Sequence, residues 1–422
     1  MNFFTLLSIS IFLHFTFLLT AQTDECFTLK FNTPHANEYG SHIYIGEHNE
    51  IISSSFSAHI QTRESQCIFR KIGADGKTLW STIYPDNDIT IFSIIHCPDE
   101  SFILGGDKKD FSGKFVRGQS ILIKIDSKGQ PVWEKKYQFA SSDHISQVFQ
   151  LSDGYLFMAS GRVDTVESSK RSRVYLCKSN FEGDIVWKKE FITPFQADGR
   201  FIVTPLKNGN FYCISPGNPN DKRYLTRIFT LTPDGNILHE AEIIETGISS
   251  VFEQPDGSMV FFHNKKTKDN TGKNKQTAYI SKMHADTLVR ILERSEHFFS
   301  QYVELWNGYY YTPVVDENKL IIQRIQADNY KIEQAEVVFP PDVTFDGFGL
   351  MYNGFLLFSG IERLPVDNAD TNPRVTNRYG MILKKNQEEL NATWREIQTI
   401  AKYLWLWKMA AAENMQLRIT KY

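Results

Sequence analysis

The chain has 422 residues, of which 41% are hydrophobic, 14% aromatic and 23% charged, and its formal net charge is −3. That composition supplies a large apolar core and excludes a disordered, charge-extended chain. The near-balanced charge argues against a dedicated nucleic-acid binder.

Residues 1–22 resemble a secretory signal peptide: residues 3–19 are almost wholly apolar, and Leu19-Thr20-Ala21 offers a small residue for cleavage. The expected destination is secretion, the periplasm or the outer cell surface. After residue 22 no stretch approaches the roughly 18 apolar residues of a membrane span. The five cysteines, Cys26, Cys67, Cys97, Cys177 and Cys213, form no CxxC pair, and an odd count leaves at least one thiol unpaired within the chain. Buried thiols are the expectation.

From residue 23 to 397 one phrase returns about every 53 residues. Its plain copies run Lys71…Gly76…Trp80, Lys124…Gly129…Trp133 and Lys178…Gly183…Trp187, with Trp nine positions after Lys. The spacing persists from Thr230 through Gly235 to His239, and from Lys282 to Ile291; Arg324 to Gln334 and Lys384 to Trp394 are one residue longer. That makes seven copies, and a fixed period of this size means stacked or radial repeats. A second turn signal interleaves with the first: His48-Asn49-Glu50, Pro98-Asp99-Glu100, Asp153-Gly154, Asn208-Gly209, Asp256-Gly257, Asn307-Gly308 and Asn353-Gly354. Asn-Gly and Asp-Gly suit two-residue hairpins whose two central positions need positive φ. The runs they join are rich in β-branched and aromatic residues and read as strands.

Each period therefore carries two hairpins and four strands; for the second period these are 90–97, 101–106, 120–126 and 132–137. The prediction is an all-β, seven-bladed β-propeller of four-stranded blades. Trp80, Trp133 and Trp187, with Gly76, Gly129, Gly183 and Gly235 in the turns before them or their counterpart, are structural repeat positions that pack blade on blade. Hydrophilic loops at 108–118, 162–173, 263–277 and 362–378 all join second to third strands and so leave one face of the disc. Insertions gathered on one face of a repeat fold mark a binding face. The five lysines of the 263–277 loop read as a solvated surface. Residues 398–422 are expected to form a short C-terminal helix capping the last blade.

No HExxH, GxSxG, P-loop or GxGxxG phrase is present, so no catalytic residue is assigned. An acidic residue precedes the innermost strand at Asp88, Asp143, Asp198 and Asp346. With His144 and Arg200 beside them, these positions are the candidates for a polar channel mouth. A ring of carboxylates could hold a hard cation such as Ca²⁺ or meet sugar hydroxyls. The competing reading is local: an Asp at a strand start bonds neighbouring backbone.

The phrase 124–133, Lys-Ile-Asp-Ser-Lys-Gly-Gln-Pro-Val-Trp, resembles the tryptophan-docking repeats of PQQ-like, quinoprotein-type propellers and of exported bacterial repeat proteins. The resemblance covers nearly all of the chain after the leader. Quinoprotein dehydrogenases imply PQQ and Ca²⁺, but their vicinal cysteine pair has no counterpart here, so no cofactor is predicted, and Ca²⁺ is left open only by the acidic ring. The expected function is that of an exported, monomeric, non-catalytic binding propeller engaging a glycan or protein through the long-loop face. A propeller enzyme acting on extracellular carbohydrate, a quinoprotein-like oxidoreductase, or an envelope assembly component are the alternatives.

Overall fold

The computed structural model describes residues 27–383 apart from 32–35, 47–49, 60–64, 74–75, 111–116, 163–170, 195–200, 216–224, 245–246, 269–273, 285–286, 296–302, 307, 317–318, 339–342, 351–355 and 364–375. The leader, Cys26, the Lys384–Trp394 copy and the expected C-terminal helix lie outside the described residues.

Among the described residues every element is a strand. In chain order these are β1 (Phe27–Phe31); β2 (Ala36–Ile45), β3 (Ile51–His59), β4 (Ser65–Ile72) and β5 (Thr78–Ile83); then β6 (Ile89–His96), β7 (Phe102–Asp110), β8 (Arg117–Ile125) and β9 (Pro131–Tyr137). Next come β10 (Ser142–Leu151), β11 (Gly154–Arg162), β12 (Arg171–Ser179) and β13 (Ile185–Pro194), followed by β14 (Ile202–Pro205), β15 (Phe211–Ser215), β16 (Leu225–Leu231) and β17 (Ile237–Ile244). The chain continues with β18 (Ile248–Glu253), β19 (Met259–Lys268), β20 (Asn274–His284) and β21 (Thr287–Ser295), then β22 (Glu304–Trp306), β23 (Tyr309–Asp316), β24 (Lys319–Gln326) and β25 (Ile332–Val338). The last three are β26 (Val343–Leu350), β27 (Leu356–Arg363) and β28 (Thr376–Leu383).

They form seven four-stranded antiparallel sheets. Six use four consecutive strands, β2–β5 through β22–β25, while the other joins β26, β27 and β28 to β1. The sequence pattern assigned that fourth strand to residues after Lys384; instead the N-terminal segment pairs with β28, Phe27 opposite Ile382 and Phe31 opposite Arg378. Neighbouring sheets pack in chain order, and β2 meets β26, β27 and β28 to close the circle. This radial arrangement is a β-propeller.

The core lies between sheets. One cluster sets Ile52, Cys67 and Phe69 of the sheet β2–β5 against Ile91, Ile94 and Leu104 of the next. Another joins Ile103 and Leu122 to Ile145, Phe157 and Tyr175, and a third joins Leu156 and Leu176 to Phe211 and Phe229. Middle strands are covered on both faces, so β15 is buried at all five positions, whereas the outermost β5 alternates with solvent. Each fully buried aliphatic or aromatic side chain contributes roughly 1.5–3 kcal/mol, so most of the stability sits in these inter-sheet layers. Cys67, Cys97, Cys177 and Cys213 are buried, unpaired thiols within them. Among the described residues no helix is long and apolar enough to cross a membrane.

Candidate ligand-binding face

The strand order divides the disc into two faces. Turns joining first to second and third to fourth strands emerge on one, the turn face. Connections from second to third strands, and crossings from one sheet to the next, emerge on the other, the crossover face.

The turn face is occupied by its own repeat chemistry. The repeated Lys binds the acid of its own sheet's first hairpin: Lys71 to Glu50 at 3.8 Å, Lys124 to Asp99 at 2.7 Å, Lys178 to Asp153 at 2.8 Å and Lys282 to Asp256 at 3.0 Å. The repeated Trp docks on the turn glycine of the following sheet, Trp80 on Gly129, Trp133 on Gly183 and Trp187 on Gly235. Trp80 Nε1 donates to the Ser127 carbonyl at 2.9 Å and Trp187 Nε1 to that of Pro233 at 3.1 Å. Gly76, Gly129, Gly183 and Gly235 all hold φ near +80° (81°, 78°, 83° and 85°), a conformation that costs an L-residue energy. The first-hairpin turns differ from the two-residue type expected. Gly209 and Gly257 have positive φ but Asn208 and Asp256 do not; their side-chain oxygens accept the N–H two residues on, at 3.0 Å in each case.

On the crossover face, Asp88 and Asp143 both fasten the chain as it passes from one sheet to the next. The Asp88 N–H donates to Ser65 Oγ at 2.9 Å, and the Ser65 hydroxyl donates back to the Asp88 carboxylate, so the entry to β6 is tied to the start of β4. Asp143 does more. β9 stops pairing at Tyr137, opposite Ser120, and the chain then turns inward. Ser142 Oγ accepts the Gly118 N–H at 2.9 Å, and Asp143 Oδ1 accepts the Ser120 N–H at 2.8 Å. Its other oxygen accepts the N–H groups of Phe139 and Ala140 at 2.9 and 2.7 Å. A buried carboxylate that receives three backbone donors satisfies groups the outer strand has left behind.

Although Asp88 and Asp143 stand 55 residues apart, they are not register equivalents. The first strand of each sheet bulges after Ile91 and after Ile145, positions that face Gly106 and Ala159 of the next strand. Counting back from those bulges, Asp143 matches Ile89 and Asp88 matches Ser142. Asp346 is itself the bulged residue, between Phe345 and Gly347 of β26. The three acids therefore occupy three different levels. Asp198 and Arg200 lie outside the described residues.

His144 is half-buried on the innermost strand β10, its ring centroid 5.0 Å from that of Phe92 on β6. Asp107 of β7 acts on it electrostatically and is buried, with one carboxylate oxygen 2.9 Å from Lys109 Nζ and the other without a hydrogen-bond partner. Burial pushes the Asp107 carboxyl above the ordinary carboxylate range, against the pull of Lys109 and His144. Burial likewise holds the His144 imidazole below its ordinary value, opposed by Asp107. Nearby, burial would raise Asp86, but the ammonium groups of Lys108 and Lys136 outweigh it and hold that carboxyl low. Asp107, Lys109 and Phe92 carry no sequence motif. Their one signal is Gly105-Gly106: a Cβ on Gly105 would fall 2.6 Å from Ile145 Cγ2, and one on Gly106 2.0 Å from the Thr90 carbonyl oxygen. Glycines inside a strand mark such close approach.

Among the described residues the candidate acids do not form a shared Ca²⁺ site. The oxygens of Asp143 are engaged by backbone donors, that of Asp88 by a hydroxyl, and the acids do not share a level. Among the described residues no group of three His, Cys, Asp or Glu side chains is placed to hold a metal ion.

No protein-family model matches the chain, and no curated protein sequence matches it. Solved structures do. The polysaccharide lyase Uly1 aligns with a TM-score of 0.50 at 12% identity, over 84% of this chain and 91% of the lyase. The β-propeller domain of the Trilobed protease from Pyrococcus furiosus, described as having an open velcro topology, aligns at 0.48 and 13% identity over 86% and 100%. A catalytically inactive virginiamycin B lyase from Staphylococcus aureus aligns at 0.42 and 12% identity over 86% and 100%. At these identities the likeness is one of fold.

Proposed function

We propose that this protein is an exported, seven-bladed binding propeller, monomeric and closed by β1, that engages a glycan through its crossover face. The observation that supports it is the division of labour between faces. Docked tryptophans and Lys–acid pairs occupy the turn face. The crossover face carries the second-to-third connections and, at the seam of the second and third consecutive sheets, the half-buried Phe92–His144 pair. An aromatic surface beside hydrogen-bonding groups suits the alternating C–H faces and hydroxyls of a sugar. The leader-like N-terminus supports export.

A second reading, a propeller enzyme acting on extracellular carbohydrate, draws support from Asp107 and His144, whose proton affinities burial shifts toward each other. A thermal-shift screen of residues 23–422 against a glycan panel, with PQQ plus Ca²⁺ as a separate arm, tests the main reading. A ligand at a hundred times its Kd adds about 2.7 kcal/mol. A shift with a glycan supports binding, and turnover of that glycan would move the assignment to the enzyme. No shift with any glycan contradicts both.

A further inference from the structure

The second consecutive sheet breaks its own repeat where it meets the third. In the second, third and fifth sheets the first strand bulges at one register, and the bulged residues are Phe92, Ser146 and Ser249. Ser146 and Ser249 donate their hydroxyls to a carbonyl of the neighbouring strand, that of Met158 at 3.4 Å and of Phe262 at 3.1 Å. Phe92 has no hydroxyl to give, and its ring lies against His144. Below that pair the seam is polar. Asp107 and Ser120 stand opposite each other on β7 and β8, both buried. Among the described residues neither Asp107 Oδ1 nor the Ser120 hydroxyl has a hydrogen-bond partner. In the first, third and fifth sheets the position of Ser120 holds Cys67, Val174 and Ala278, each inside an apolar cluster.

A Cβ on Gly118 would fall 2.6 Å from Asp107 Oδ2 and 2.9 Å from the Asp143 carbonyl oxygen. The Asp107 carboxylate and the peptide that leads into His144 therefore lie side by side. β10 packs on β6, β7 and β8. Of these, β7 brings Asp107 and Lys109 to His144, β6 brings Phe92, and β8 passes with Gly118 and Ser120. On β11 Ser160 stands opposite His144, with the exposed Arg162 two pairs further out. Asp107 and Asp143 favour a charged imidazole here, and Lys109 opposes it.

We propose that Asp107 and His144 form a proton-operated release device for the glycan face: taking up one proton turns His144 from Phe92 toward the open oxygen of Asp107, and the ligand leaves. The inference rests on the glycan-binding reading and adds its regulation. A neutral imidazole beside Phe92 is an aromatic surface that the C–H face of a sugar can cover, whereas a charged one must keep a polar partner. Asp107 Oδ1 is that partner, because Lys109 already holds the other oxygen. Burial moves the two groups toward each other, Asp107 up and His144 down, so they take up the first proton as a pair.

The test uses the full chain after the leader, with cellohexaose, xylohexaose, laminarihexaose and N-acetylated chitohexaose as probes that do not titrate. Affinity is measured from mildly alkaline to acid pH for the parent, Asp107→Asn and Lys109→Gln, each relative to its own alkaline value. Carbon-13 at the histidine Cε1 follows the His144 ring in the same samples, its signal assigned by its loss in His144→Gln. The parent should lose about tenfold in affinity per pH unit below the midpoint of the pair, and the His144 signal should share that midpoint. Asp107→Asn removes the attracting charge and should carry both midpoints lower by about one pH unit or more. Lys109→Gln removes the opposing charge and should carry them higher. Affinity that stays level while His144 titrates would overturn the device and leave the glycan reading standing. So would midpoints that move the same way in both variants, or in neither. Binding of no probe at any pH would end both readings.

Discussion

The indole of Trp80 packs on Gly129 of the following sheet so closely that a Cβ there would fall 2.7 Å from the ring. The same indole donates to the Ser127 carbonyl in that turn. Gly129 thus meets two demands at once, a left-handed backbone and a flat seat for the ring. Gly209 has a similar φ of 82° but nothing within 4 Å of its would-be Cβ. Gly209→Ala should therefore cost only the conformational penalty, about 1–2 kcal/mol. Gly129→Ala should add the steric cost of displacing Trp80, for a total of about 2–4 kcal/mol. Chemical denaturation of the two variants side by side checks this; equal losses would mean that the docking contributes nothing.

Asp143 is expected to matter for folding before it matters for any ligand. Asp143→Ala strands the N–H groups of Ser120, Phe139 and Ala140, each at a cost of about 1–3 kcal/mol unless water reaches it. A loss of several kcal/mol in urea unfolding is predicted. A variant as stable as the parent would show that those backbone groups find other partners.

The ion pairs of the turn face set an acid limit. The hydrogen bonds of Asp99 with Lys124 and Ser101 hold its carboxyl down to about 2. Because the unfolded value is higher, about 3.9, the unfolded state takes up protons first, and this stabilisation is lost as pH falls from about 4 toward 2. Asp99→Asn should flatten that part of the melting-temperature profile and lower the plateau above about pH 5 without changing its slope.

The seam behind His144 carries two slopes of opposite sign. Its imidazole is held low in the folded protein, so stability falls as pH drops below the unfolded value of about 6.5. Asp107 is held high, so the folded state keeps its proton longer, and stability falls as pH rises from about 4 through its raised value. His144→Gln should remove the first slope and Asp107→Asn the second. Melting curves from acid to neutral pH read both, and an Asp107→Asn profile that keeps the parental rise and fall would contradict the assignment.

The four described thiols should be silent. Burial pushes Cys177 up to about 12 and raises Cys67, Cys97 and Cys213 as well. Alkylation of the folded protein at mildly alkaline pH should spare all four and label them only after denaturant is added. Rapid labelling of any of the four under native conditions would place it outside the core.

The propeller was legible because its determinants are local and repeated. The turn glycine, the Trp that seats on it and the Lys that ties the first hairpin all recur within one period. The expected strands of the second period fall within a few residues of β6 to β9, although β7 and β8 run further into the connection. β1 escaped notice because a five-residue segment, Phe-Thr-Leu-Lys-Phe, says nothing about pairing with β28 some 350 positions away, Phe27 with Ile382. The acids were misaligned for a different reason. Equal spacing is not equal register when the loop before a bulge changes length by one residue, as it does between Asp88 and Asp143. Asp107 was invisible because its burial depends on how closely β10 approaches Gly105 and β6 approaches Gly106.

The central claim, that ligand meets the crossover face, is tested most directly by hydrogen exchange of the full chain after the leader, with and without a saturating glycan taken from the thermal-shift screen. Slowed exchange should concentrate in the second-to-third connections. The turns at 97–101, 206–210 and 254–258 should be unaffected. Protection confined to those turns, or none anywhere, would contradict it.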